Sequence, residues 1–288
     1  MQPTGKGINW LLFILLAVIW GSSFILMKIG REFLNGYQIG AIRIFSAGVV
    51  FLPFAVFQVR RLPDRKLPLV FLSGCVGNLI PAFLFAIAIE KISSSLEGIL
   101  NSLTPLFVIL IGVLFFRATL ERKKLAGVLI GLVGLVMLSL SGGFGENNFA
   151  YALLILLATV LYGLNVNLVN SYLKGLDPLA MATVSLSMVA VPAFFVVWQQ
   201  DVFSMAIYDD EARWSIAASV LLGVMGSAVA TALFYVLIRR AGGLFASLVT
   251  YAIPVVAIFW GTLAGEPFSV LQVACLGVIL GGVYLANR

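Results

Sequence analysis

The side chains able to do chemistry in this sequence are few, and most sit singly inside long apolar runs. Trp20, Ser22, Ser23, Asn78, Asn101, Tyr162, Asn165, Ser227, Thr250 and Tyr251 offer aromatic faces, amides and hydroxyls. Such groups hold neutral or amphipathic small molecules by stacking and hydrogen bonding. Lys28, Arg43, Glu90, Lys91 and Glu97 add charge to the same runs. Histidine is absent, which removes the usual general base near neutral pH and the commonest metal ligand. Serine–histidine triads, HExxH zinc sites and histidine-ligated haem cannot form. Cys75 and Cys275, far apart and flanked by apolar residues, read as small core residues. No metal and no cofactor is expected.

The surroundings of these groups decide their setting. Of 288 residues, 61% are hydrophobic and 10% charged, and the mean hydropathy is +1.10. A soluble domain carries about 25% charged residues, so the charges here are too few to solvate a surface, and lipid must be the main solvent. A bilayer core about 30 Å thick takes roughly 20 apolar residues per helix. That template yields segments near 9–29, 37–58, 68–89, 95–116, 125–141, 149–172, 178–198, 214–238, 244–264 and 270–286. The longest polar stretches, Gln58–Pro68 and Gln199–Arg213, are expected to be loops. The first run is too long for a signal-peptide core and lacks a cleavage site, so it is expected to remain as a membrane anchor.

Lysine and arginine in short loops are retained on the cytoplasmic side. One set of alternate loops, with the termini, holds Lys6, Arg60, Arg61, Arg65, Lys66, Arg117, Arg122, Lys123, Lys124, Lys174, Arg239, Arg240 and Arg288. The other set holds Arg31, Lys91 and Arg213, with Glu146, Asp201, Asp209, Asp210 and Glu211. Both termini are therefore expected in the cytoplasm, the chain being a multi-pass protein of the cell (inner) membrane. The net charge of +6 is absorbed by this topology, and no nucleic-acid partner is expected.

Residues 69–114 lie over 218–263 without a gap. Leu72, Gly74, Gly77, Leu84, Phe85, Ile89, Pro105, Ile109 and Gly112 then fall on Leu221, Gly223, Gly226, Leu233, Phe234, Ile238, Pro254, Ile258 and Gly261. A one-residue slip places Gly127 and Gly131 on Gly277 and Gly281, and Trp20-Gly21 lies over Tyr162-Gly163. The polar stretch from Gly142 to Asn148 separates the halves. Five spans in each half is an odd number, so the second copy enters the membrane from the opposite side. Inverted repeats can exchange conformations about a pseudo-twofold axis, which is the architecture of many secondary transporters.

Trp20-Gly-Ser-Ser-Phe24, Arg43, the Asn101–Pro105 segment, its counterpart Thr250–Pro254, and Gly265-Glu266 followed by Gly277 together give the chain a likeness. It resembles the ten-helix drug/metabolite transporters of the EamA type over essentially its whole length. The resemblance is specific to the superfamily and not to a cargo. One departure is clear: the first half has Phe116 where the second has Glu266, so any role of that glutamate falls to Glu266 alone. The resemblance implies a central cavity enclosed by the first four spans of each half, with the fifth and tenth packed peripherally. Those two spans are nearly devoid of polar side chains, and Gly127, Gly131, Gly134, Gly277 and Gly281 permit close helix contact. A monomer, or a weak homodimer through helices five and ten, follows.

At about 1.5 Å per residue, Pro105 and Pro254 fall roughly 16 Å along their helices, near mid-membrane. Each removes the bond to the carbonyl four residues earlier, that of Asn101 or Thr250, so Pro105 and Pro254 are expected to kink or gate; shaping the packing alone is the alternative. Trp20, Ser23, Asn78, Asn101, Tyr162, Asn165, Ser227, Thr250 and Tyr251 are the expected cavity groups, although a helix–helix hydrogen bond would satisfy any one of them equally. Arg43 lies about 9 Å below the start of its span. With Glu90 and Glu97 it reads as an outer gate or vestibule, Arg43 pairing with Glu97 or Glu90; interfacial anchoring is the bland alternative. No carboxylate is expected at mid-depth, so coupling through an embedded carboxylate is not expected.

The chain therefore reads as an all-α integral membrane protein with ten transmembrane helices in two inverted five-helix repeats, 1–143 and 144–288. The expected activity is secondary transport, the export of small amphipathic metabolites such as amino acids by alternating access. The partners are a small-molecule substrate and the lipid bilayer. A purine or xenobiotic exporter of the same fold, or a pore-type channel, is the alternative. An embedded enzyme would need a catalytic constellation at depth, and neither histidine nor paired aspartates provide one.

Overall fold

A computed structural model describes residues 5–117, 122–140, 148–241, 249–266 and 269–286. The stretch 141–147, which carries the expected link between halves, lies outside the described residues, as do the outermost terminal residues. Every regular element among the described residues is helical. Seven helices are long and apolar enough to cross a bilayer: Gly7–Gly30, Gly36–Arg61, Asp64–Ala88, Ser94–Phe116, Phe149–Tyr172, Pro178–Gln199 and Asp210–Phe234. Leu125–Leu138, Val249–Leu263 and Val270–Gly282 are shorter apolar helices.

In chain order the α-helices are α1 (Gly5–Gly30), α2 (Gly36–Gln58), α3 (Leu67–Gly74), α4 (Ile80–Ala88), α5 (Ser94–Asn101), α6 (Thr104–Phe116) and α7 (Arg122–Leu140). There follow α8 (Phe149–Tyr172), α9 (Pro178–Gln199), α10 (Val202–Tyr208), α11 (Asp210–Leu221), α12 (Ala230–Ala241), α13 (Val249–Leu263) and α14 (Val270–Ala286). The stretch 199–213 is thus no bare loop, since α10 occupies its middle. Polar residues set the helix starts. Asn35 and Gln38 form a reciprocal capping box on α2, Asp177 caps α9 and Ser93 caps α5, each answering amide groups that the first turn leaves unpaired.

Three spans depart from regular α-helix. Cys75–Leu79 joins α3 to α4 as a π-helical segment, and Leu222–Val229 joins α11 to α12 in the same way. In the first case Pro81 has no N–H for the carbonyl of Gly77, and the helix widens so that the Ile80 amide reaches back to Cys75. The fourth span breaks at Ser102-Leu103, between α5 and α6. Its counterpart α13 runs unbroken through Pro254. The two prolines therefore have different consequences: a break in one half, an uninterrupted helix in the other.

Glycines allow the helices to approach. A Cβ on Gly21 would collide with Val256 of α13, and one on Gly163 would come within 2.8 Å of the Phe107 backbone of α6. On the π-helical segments, Gly77 lies against Asn165, and a Cβ on Gly226 would come within 2.7 Å of the Ser23 hydroxyl. Just before the first segment and within the second, Gly74 and Gly223 abut the carbonyls of Ser185 and Arg43. Helices α7 and α14 pack together within the one chain, Gly134 against Ile279 and Gly282 against the backbone of Gly127 and Gly131. Among the described residues, Gly277 and Gly281 meet nothing within 4 Å. The bundle's outer face is apolar, as lipid contact requires: Phe57, Phe115, Trp198 and Trp214 are among its most exposed large side chains.

Gly223→Ala is accordingly expected to lower stability by about 1–3 kcal/mol through overpacking. Gly277→Ala is expected to be neutral or to stabilise by up to about 1 kcal/mol through helix propensity. Thermal unfolding of the two variants in the same detergent checks the contrast.

Candidate functional site

The polar groups singled out in the sequence join into a chain across the middle of the bundle. The Trp20 indole on α1 donates to the Gly226 carbonyl in the second π-helical segment at 3.0 Å and packs edge-on against Phe234 at 5.1 Å. One residue beyond Gly226, the Ser227 hydroxyl accepts from Nε of Arg43 at 3.0 Å. Arg43 is near the Tyr162 phenol and the Glu97 carboxyl, and Tyr162 stacks on Phe85 at 6.2 Å. Ser23 is buried and bonds the Ile19 carbonyl within its own helix. Trp20, Ser23, Arg43, Tyr162, Ser227 and Glu97 thus belong to one neighbourhood.

Asn165 lies one turn along α8 from Tyr162. Its Oδ1 accepts from the buried Ser73 hydroxyl at 2.6 Å, which ties it to the helix that carries Asn78. Asn78 itself is half-buried in the first π-helical segment. Asn101 stands at the break of the fourth span, apart from this chain of contacts. Its carbonyl is not left unpaired, as the proline spacing predicts, because Thr104 Oγ1 donates to it at 2.8 Å. Thr250 and Tyr251 are half-buried in the first turn of α13.

The expected outer gate is rebuilt by the structure. Arg43 takes Ser227, not Glu90 or Glu97, as its hydrogen-bond partner, and Glu90 accepts from the Gly36 amide at 2.7 Å, at the start of α2. A first-turn amide with a helix dipole behind it is the better partner for a carboxylate at that depth. Glu97 is wholly enclosed, with 0% exposure, and neither of its oxygens has a hydrogen-bond partner among the described residues. The charged groups nearest to it are Glu266 and Arg43.

Glu266 is the residue whose surroundings sequence reasoning missed most completely. Gly265, at φ 74°, ends α13 in a left-handed turn, in which the amides of Gly265 and Glu266 bond the carbonyls of Thr262 and Gly261. That turn aims Glu266 at the start of α5. Oε1 accepts from the Ser94 amide at 3.1 Å, the Ser94 hydroxyl at 2.9 Å and Lys28 Nζ at 3.0 Å. Oε2 accepts from the Ser95 amide at 3.1 Å and hydroxyl at 3.0 Å. A single carboxylate thereby latches α1, α5 and α13 together at one end of the bundle. The signals were present, in Ser93-Ser94-Ser95 before an apolar run and Gly-Glu after another, but nothing local pairs them. Partial burial pushes the Glu266 carboxyl up, yet the bonds from Ser95, Lys28 and Ser94 outweigh it and hold the group below its ordinary value of 4.5.

Two further side chains bridge helices. Asn167 Nδ2 donates to the carbonyls of Val108 and Gly163 at 2.9 and 2.8 Å, and the Trp260 indole donates to Ser22 at 2.8 Å. An apolar groove between α2 and α9, lined by Phe45, Val49, Leu52, Ser187 and Phe194, contains none of the predicted site residues. The arrangement presents aromatic faces and neutral hydrogen-bonding groups, with the Glu266 contacts at one end. Among the described residues no cluster of carboxylates and cysteines fit to hold a metal ion is present.

Comparison with known proteins agrees with these features. The model of the EamA-like transporter family matches residues 8–140 and again 149–288. The chain is 25% identical over 284 residues to an uncharacterized transporter of Archaeoglobus fulgidus, covering 97% of this chain and 99% of that protein. It is 27% identical over 286 residues to the uncharacterized inner membrane transporter YedA of Escherichia coli, covering 94% and 88%. A probable terminal-alkyne amino-acid exporter of Streptantibioticus cattleyicolor is 24% identical over 290 residues, covering 96% and 92%. One solved crystal structure, 18% identical, shares the fold with a TM-score of 0.64 over 98% of this chain and 97% of that one.

Because the docked Glu266 carboxyl ionises below 4.5, the stability that comes from ionising Glu266 is present above that pH and is lost as the pH falls through the depressed value. Glu266→Ala, which leaves five donor groups unanswered, is expected to cost about 2–4 kcal/mol and to flatten this acid limb. Thermal midpoints of both proteins measured across the acid range check it.

Proposed function

The chain belongs to the EamA-like transporter family, and from that premise we propose that it exports small amphipathic metabolites, amino acids or close analogues, by alternating access. The proposed machine is ten membrane-crossing helices in two inverted five-helix repeats, 1–143 and 144–288, moving about a cavity lined by Trp20, Ser23, Asn78, Asn101, Tyr162, Asn165, Ser227, Thr250 and Tyr251. Pro105 and Pro254 shape its gates. The seven long and three shorter apolar helices fall on the expected segments, which supports the count.

One observation carries the reading: helix contacts recur with the halves exchanged. Gly21 meets Val256 as Gly163 meets Phe107; Gly226 meets Ser23 as Gly77 meets Asn165; Gly223 meets the Arg43 carbonyl as Gly74 meets that of Ser185. In each case the first residue moves to its repeat equivalent and so does its partner. The two π-helical segments also overlap under the repeat alignment. This cross-packing, each half's third helix on the other half's first and second, supports a pseudo-twofold axis through the centre. A rocking motion about such an axis exposes the same cavity to either side.

The distribution of lysine and arginine supports cytoplasmic termini, which puts the Glu266 latch at the outer end and makes the latched state closed to the outside. The relative named an inner membrane transporter agrees with that location. The cavity's amides, hydroxyls and aromatic faces, with the Arg43 guanidinium adjoining, suit a small molecule that carries a carboxylate and an apolar side chain. The relative named an amino-acid exporter favours the same cargo class. The outward Gly277 and Gly281 make α14 the face on which a second copy would pack.

Counterflow in proteoliposomes tests the reading. Influx of a labelled L-amino acid is expected to be stimulated by the same unlabelled amino acid inside, and Trp20→Ala is expected to lower the initial rate by about tenfold or more, equivalent to about 1.4 kcal/mol. Flux indifferent to the internal solute would indicate a pore instead of a carrier.

A further inference from the structure

Glu97 is an anomaly that the transport reading leaves unused. Its carboxyl group is fully enclosed on α5, and no donor among the described residues reaches either oxygen. Buried polar atoms are almost always hydrogen-bonded, and an ionised carboxylate enclosed without donors is strongly disfavoured. Two and three residues earlier on the same helix, the Ser95 and Ser94 amides hold the Glu266 carboxylate. That carboxylate takes up the positive end of the helix and adds negative charge beside Glu97. The available counter-charge is Arg43, whose described hydrogen bond runs from Nε to Ser227 and leaves its terminal nitrogens free to turn.

We propose that Glu97 is a proton-binding site tied to the latch. It holds a proton while Glu266 is seated on α5 and gives the proton up when Glu266 leaves, so that opening this end of the bundle releases one proton. In the latched state the Glu97 carboxyl is neutral beside an anionic Glu266. When the latch opens, the O–H bond of Glu97 breaks, the proton passes to water entering at that end, and the charge left behind pairs with Arg43. Closing reverses each step, with water supplying the proton. The titratable and charged groups facing Glu97 are Arg43 from α2, Tyr162 from α8 and Glu266 from the turn after α13. Lys28 from α1 is already bonded to Glu266, and the neighbouring Gly98 faces the non-titrating Ala257 and Pro254 of α13. Coupling of this proton to solute movement rests on the alternating-access reading; the linkage between Glu97 and the latch does not.

The Ser94 and Ser95 amides, whose acceptor is Glu266, report the latch directly. Hydrogen–deuterium exchange in lipid nanodiscs, with no solute added, measures their protection after correction for the intrinsic pH dependence of exchange. In the wild-type protein, protection is expected to fall as the pH rises from about 6 to about 9, approaching tenfold per pH unit, the limit for one proton. Glu97→Gln is expected to keep both amides protected across the whole range. A flat wild-type profile, or an unchanged slope in Glu97→Gln, overturns the proposal. If Glu97→Gln does not insert, Glu97→Asp serves, and its slope is expected to persist with a displaced midpoint; an identical midpoint overturns the proposal equally. Since no solute enters the measurement, a failed counterflow experiment does not change what the exchange profile means, and a flat profile leaves the transport reading standing.

Discussion

Inside a bilayer, a backbone carbonyl released from its own helix can be answered only by another part of the same protein. This constraint organises the structure, because each irregular stretch becomes a place where two helices must touch. The second π-helical segment is met by the Trp20 indole at Gly226. The break in the fourth span is met by Thr104 at Asn101. Asn167 spans Val108 and Gly163, where α6 and α8 come within backbone contact. A soluble protein could leave any of these to water. Here Trp20 and Asn167 fix helix crossings, α1 on the second π-helical segment and α8 on α6, while Thr104 answers its own span.

The scaffold built this way is close to symmetric in its contacts, whereas its charges are not. Glycine contacts recur between halves, but Arg43 has Ser185 as its counterpart and Glu266 has Phe116. The family model matches both halves and the glycine contacts recur between them, while the charged residues differ from one half to the other. A rocking pair of repeats with identical ends would have no preferred direction or resting state. Two of these ionisable residues also lie on the glycine contacts themselves, Arg43 against Gly223 and Glu266 against Gly261.

The seams and the apolar segments were legible in the sequence because burial in lipid leaves a compositional trace. Repeated glycines at Gly74, Gly77, Gly223 and Gly226 survive as letters, and they mark true helix crossings. The π-helical segments were not legible. A one-residue widening of a helix leaves the hydropathy pattern unchanged, and Pro81 alone does not distinguish a kink from a bulge. The proline symmetry misled in part, because the spacing to Asn101 and Thr250 is the same while only the first span breaks. The side-chain partners of Arg43, Glu90 and Glu266 were the least legible, since depth along a helix says nothing about azimuth. The Glu266 latch joins residues from three helices that no pattern of spacing connects.

The asymmetry of the latch bears on which state the protein occupies at rest. At one end a carboxylate accepts five hydrogen bonds, two of them from the first turn of a helix and one from an ammonium group. At the position equivalent to Glu266 the first half has Phe116, packed against Tyr172 at 6.1 Å. An aromatic pair contributes about 0.5–1.5 kcal/mol beyond its area, whereas losing the Glu266 latch, which is partly exposed at Lys28, costs about 2–4 kcal/mol. A difference of about 2.8 kcal/mol already sets a hundredfold population ratio. On the proposed rocking motion, the described contacts therefore make the Glu266 end the harder of the two to open. The asymmetry comes from a single glutamate that only one half of the sequence carries.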